Sequence, residues 1–133
     1  MKIEDVEGIG PAFASKLQAA GVRTSEGLLE RAGPKKGRDE LATATGISGK
    51  LLLEWVNAAD LMRIKGIGAQ FSDLLEAAGV DSAAELAQRN AATLAATFAE
   101  LNAARGTTRR APTAAEVQGW IDQARQLPKV VGH

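Results

Sequence analysis

The apolar residues of this chain recur at helical spacing, and they do so twice. In PAFASKLQAAG, Phe13, Leu17 and Ala20 fall on one face of a helix. In AQFSDLLEAAG, Phe71, Leu75 and Ala78 do the same. Pro11 suits a first helical position, where no N–H is needed, and Gly21 and Gly79 suit the residue just past a helix end. The pattern predicts helices over residues 11–20 and 69–78. A further helix should follow each of the N-cap candidates Thr24 and Ser82. Next come helices over about residues 38–45 and 91–104, and then a last one in each half, after Ser48 and after Thr113. A short helix should also lead into each Gly-Ile-Gly segment. No stretch alternates as a strand would. The expected fold class is all-α, with five helices in each half.

The two halves align. Residues 3–22 (IEDVEGIGPAFASKLQAAGV) and 61–80 (LMRIKGIGAQFSDLLEAAGV) are offset by 58 residues and share nine of 20 positions. Chance would leave about one or two matches, so this is an internal duplication. RTSEGLLER continues against DSAAELAQR. SGKLLLEWVNAA then matches TAAEVQGWIDQA, pairing Trp55 with Trp120 at an offset of 65. The second half thus carries an insertion within residues 91–111. The expected organisation is residues 1–60, residues 61–128 and a short, loosely held tail at 129–133. WVNAADLMRIKG has no Pro or Gly before Gly66, so the helix carrying Trp55 is expected to run on across the join and make one rigid body of the halves.

Each Gly-Ile-Gly segment joins two helices. The first glycine, Gly8 or Gly66, supplies a positive φ. The second, Gly10 or Gly68, is expected to let the chain approach closely as it enters the next helix. The amides at that helix start have no helical acceptor and can hold a phosphate. Val6-Glu7-Gly8-Ile9-Gly10-Pro11 and Ile64-Lys65-Gly66-Ile67-Gly68-Ala69, with the apolar positions after them, resemble the helix-hairpin-helix family. GVRTSEGLLERA also resembles a stretch of the C-terminal domain of the RNA polymerase alpha subunit. The whole chain, with its paired Trp helices, is similar to an uncharacterised bacterial domain-of-unknown-function family. The resemblance implies two tandem compact helical repeats. For many helix-hairpin-helix proteins it also implies binding of DNA without sequence preference, through hairpin amides and a following basic residue.

Lys16 can play that basic part in the first hairpin. In the second, Leu74 occupies the matching position beside Asp73, a departure from the pattern. Arg63 and Lys65 supply positive charge there, and Gln70 and Ser72 could donate to a phosphate. Glu4, Asp5 and Glu7 make the first hairpin acidic, so the second is the better binding side. PKKGR (with Lys35, Lys36 and Arg38) and ARGTTRR (with Arg109 and Arg110) read as basic loops that either grip phosphates or simply sit in solvent.

Composition narrows the function classes. The chain has 133 residues, 16 basic and 16 acidic, and so no net charge; nucleic acid would need a local patch. There is no cysteine, which removes disulfides, thiol catalysis and cysteine-rich zinc sites, and suits the cytoplasm. The single histidine, His133, offers no metal or catalytic constellation, and no cofactor is implied. Phe13 stands where a dinucleotide fingerprint needs its third glycine. No apolar run reaches membrane-spanning length, and the N-terminus lacks the apolar segment of a signal peptide. Trp55 and Trp120 read as core anchors. The chain reads as non-catalytic, and two partner classes stay open, double-stranded DNA and another protein. The oligomeric state is not legible.

Overall fold

A computed structural model describes residues 1–106 and 108–132. Among these residues the chain is helical and has no strand, apart from an isolated bridge between Lys2 and Thr24. A single 3₁₀ turn (Ile3–Asp5) precedes α1 (Pro11–Ala19), α2 (Ser25–Ala32), α3 (Lys35–Thr45) and α4 (Gly49–Leu61). Then follow α5 (Ala69–Ala77), α6 (Ala83–Leu86), α7 (Ala91–Arg105) and α8 (Ala114–Gln126). The chain divides into two compact units. Unit 1 comprises Met1–Asp60 and the C-terminal residues from Val130 on, and unit 2 is Leu61–Lys129.

The helix ends follow from local chemistry. Thr24 Oγ1 accepts from Gly27 N–H at 3.0 Å and Ser82 Oγ from Glu85 N–H at 3.1 Å, so both cap their helices as expected. α1 closes with Gly21 N–H on Gln18 O and Val22 N–H on Leu17 O. α5 repeats the arrangement, with Gly79 N–H on Glu76 O and Val80 N–H on Leu75 O. This closure needs a left-handed residue after the helix, and Gly21 (φ +91°) and Gly79 (φ +86°) supply it. Arg31 and Arg89 reinforce it by donating to Ala20 O and Gly79 O.

Each unit has its own apolar core. In unit 1, Val6, Ile9, Leu17, Leu28, Leu41, Leu52 and Trp55 are buried together. In unit 2, Ile64, Ile67, Leu75, Leu86, Phe98, Trp120 and Ile121 are. The tryptophans anchor these cores, at 3% and 4% exposure. Trp55 packs on Phe13 with ring centroids 5.0 Å apart, and Trp120 on Phe71 at 5.2 Å.

Four expectations need correction. α4 stops at Leu61, short of Gly66, because Ile64 and Ile67 must both enter the core of unit 2. The turns Ile64 N–H to Leu61 O and Ile67 N–H to Ile64 O bend the backbone to place them. PKKGR is not a loop: Pro34, in extended conformation, caps α3, and Lys35–Arg38 form its first turn. No short helix precedes the second Gly-Ile-Gly segment, because residues 62–68 are taken up by the turns at Ile64 and Ile67, so among the described residues the second half holds four helices, α5–α8, and not five. The tail is not loose. Val131 is 3% exposed in the core of unit 1, and Gly132 N–H donates to Gly33 O at 2.9 Å. Of the tail, His133 lies outside the described residues.

Candidate functional site

The two Gly-Ile-Gly segments are built alike. Each begins with a turn closed by Ile9 N–H on Val6 O, or by Ile67 N–H on Ile64 O, both at 3.1 Å. Gly8 (φ +88°) and Gly66 (φ +99°) lie in these turns. A Cβ on Gly8 would meet the Trp55 indole nitrogen at 3.2 Å, and one on Gly66 would meet that of Trp120 at 2.9 Å. The first glycine is therefore required both by its backbone angle and by a tryptophan.

The second glycine differs from expectation. Gly10 and Gly68 have ordinary extended angles, with φ −86° and −96°, and a Cβ on either would have no neighbour within 4 Å. Among the described residues no crowding demands them. Both are N-caps without a side-chain hydrogen bond. In α5 the first helical bond is Ser72 N–H to Gly68 O at 2.9 Å, so the amides of Ala69, Gln70 and Phe71 precede the ladder. In α1 the corresponding bond is Ala14 N–H to Gly10 O, and Pro11 removes one of the preceding amides. The second turn thus offers three such donors and the first two.

The side chains divide sharply. Around the second turn Lys65 and Gln70 are exposed. Gln123 on α8 holds the Lys65 backbone at both groups: its Oε1 accepts from Lys65 N–H at 2.9 Å, and its Nε2 donates to Lys65 O at 3.1 Å. Arg63 is partly buried and donates to Pro128 O at 3.1 Å. Asp73 forms an ion pair with Arg105 at 3.9 Å, which offsets its repulsion of an anion. Ser72 is fully buried, with no hydrogen-bond partner for its hydroxyl, and cannot reach a ligand in solvent. At the first turn Lys16 is exposed, its ammonium 5.9 Å from the centre of the Phe13 ring.

The two basic clusters separate into committed and exposed members. Lys35 pairs with Asp39 at 2.9 Å, while Lys36 is exposed. Arg38, expected at the surface, is 5% exposed and spends its guanidinium on the carbonyls of Ala32, Gly33 and Gly132. Arg109 is exposed. Arg110 grips Glu116 through two bonds of 2.5 and 3.0 Å. That hydrogen bonding, helped by the Thr113 backbone amide, lowers the Glu116 carboxyl to about 2. It also raises the Arg110 guanidinium above its ordinary value. Thus Ser72 and Arg38 leave the candidate site because they are buried, while Arg110, like Lys35, is engaged by a carboxylate at the surface. Lys65, Gly66, Gly68 and Gln70 remain together at the second turn, with Arg63 beside them.

Sequence reasoning missed Gln123 and the pair Arg31 and Arg89. The arginines carried a signal, since both fall at the same repeat offset of 58 residues. Gln123 carried none, because its counterpart is Ala58. Among the described residues no three His, Cys, Asp or Glu side chains gather as a metal site, and no helix is long and apolar enough to cross a membrane.

A family model described as a domain of unknown function, DUF4332, matches residues 7–127. The chain belongs to this family. The DUF4332 match runs from Glu7, in the first turn, to Leu127, just past α8, and so takes in both Gly-Ile-Gly turns and both tryptophans. No curated protein and no solved structure matches the chain.

Proposed function

We propose that this DUF4332 chain is a tandem helix-hairpin-helix module that binds the backbone of duplex DNA without catalysis and without reading sequence. The supporting observation is the open start of α5. Three amides point past a glycine cap that no side chain fills and no neighbour crowds. A helix start of this kind favours an anion. Lys65 stands at the entry, and Gln70 adds an exposed amide donor. The first hairpin, with one amide fewer and an acidic approach, plays the lesser part.

The test is fluorescence anisotropy of a labelled duplex at ~50 and ~200 mM salt, where backbone binding weakens steeply. Gly68→Asp sharpens it. Aspartate is a strong N-cap, so the variant should fold at least as stably while its carboxylate occupies the amides. Duplex binding should be lost in Gly68→Asp and reduced less in Gly10→Asp. Unchanged affinity in Gly68→Asp would remove the hairpin amides from the interface.

A second reading, a protein-interaction module, is favoured by α7, whose exposed residues include Ala92, Ala96, Ala99 and Ala103. It predicts no duplex binding at low salt and a concentration-dependent mass in sedimentation equilibrium.

A further inference from the structure

The segment after Lys129 belongs to unit 1, although unit 2 precedes it in the chain. It lies in a slot made for main chain. Gly132 N–H donates to Gly33 O at 2.9 Å, and Arg38 Nη2 donates to Gly132 O at 2.8 Å. The same guanidinium holds Gly33 O at 2.9 Å and Ala32 O at 3.1 Å, so one buried charge ties the end of α2 to the segment. A Cβ on Gly33 would lie 2.3 Å from Val130 O and 2.4 Å from Leu29 O. One on Gly37 would lie 2.0 Å from Arg31 O. Two glycines therefore let α2, α3 and the segment approach more closely than residues with side chains allow. Val131 fills the core beneath. Upstream, the Arg63 bond to Pro128 O fixes the point from which the segment leaves unit 2.

We propose that residues 130–132 are a strap that unit 1 needs in order to close, so that chain lying beyond unit 2 controls the α2–α3 elbow. Without the strap, Arg38 loses the Gly132 O acceptor, Gly33 O loses one of its two donors and Val131 leaves a hole. A guanidinium N–H left without its acceptor and a cavity in the core are both costly, so the elbow must loosen to let water in. α6, α7 and α8 share none of these contacts and stay closed. The strap is thus a local catch: its release opens one unit and spares the other.

Amide hydrogen exchange of the full chain, read by mass spectrometry, tests this. In Val131→Asp, and in Gly132→Pro, which deletes the N–H given to Gly33, peptides from residues 25–45 should exchange about tenfold faster or more. Peptides from residues 83–105 should keep the wild-type rate. Val131→Ala removes two methyl groups without adding a charge and should show the same regional pattern at smaller amplitude. It keeps the test decisive should the harsher variants fail to fold. Wild-type protection of residues 25–45 in all three variants would overturn the proposal, and so would equal loss of protection in both regions.

Discussion

Ser72 occupies the place that Ala14 holds in the first half, and it does so with a hydroxyl that is buried and unpaired. An unmade buried hydrogen bond costs about 1–3 kcal/mol, so an apolar residue of similar size should do no harm. Ser72→Ala is expected to keep or raise the melting temperature in a thermal unfolding experiment. It should leave duplex affinity unchanged, because the hydroxyl does not reach solvent. Glu116 is a second residue-scale case. Its carboxyl is lowered from 4.5 to about 2, chiefly by its hydrogen bonds with Arg110. Stability from that shift is fully present above about pH 4.5 and is lost as pH falls through about 2. Arg110→Ala should return the carboxyl towards its ordinary value, as a carbon-13 titration of the Glu116 side chain would show. The acid transition should then move to higher pH.

At the scale of the turn, the two glycines of each Gly-Ile-Gly segment have different reasons to exist, and alanine should separate them. Gly66→Ala combines a positive φ with a Cβ 2.9 Å from the Trp120 indole nitrogen, and should cost about 1–3 kcal/mol in denaturant unfolding. Gly68→Ala meets no neighbour; the weaker N-cap and the stiffer unfolded chain oppose each other, leaving a change within about 0.5 kcal/mol. Gly8→Ala and Gly10→Ala should repeat the contrast in unit 1. Elements were the most legible part of the sequence. The starts of α1, α2, α5 and α8 follow from Pro11, Thr24, the Gly-Ile-Gly repeat and Thr113, all local signals. The early stop of α4 was illegible because it depends on where Ile64 and Ile67 must go in a core assembled from distant residues. The candidate site was legible as backbone and not as side chains. Gly66 and Gly68 could be placed from their spacing alone. Nothing near Arg38 in sequence reveals that a carbonyl 94 residues away completes its burial.

For the whole molecule, zero net charge sets what binding can look like. Several cations are already engaged, Lys35 by Asp39, Arg105 by Asp73 and Arg110 by Glu116. If the proposed interface at the second turn neutralises about three phosphates, log affinity against log salt should slope at about −2 to −3. A Lys65→Ala variant should flatten that slope by about one. The slope is measured by repeating the anisotropy titration at several salt concentrations; a flat line would show that affinity does not come from phosphates. The indole rings laid over Gly8 and Gly66 carry one more consequence. With one tryptophan in each unit, both screened from water, the protein holds two built-in light emitters at matched positions. A chain with Trp120→Phe glows from unit 1 alone and one with Trp55→Phe from unit 2 alone. A red shift in either spectrum then tells which half of the protein has let its turn swing away from the ring.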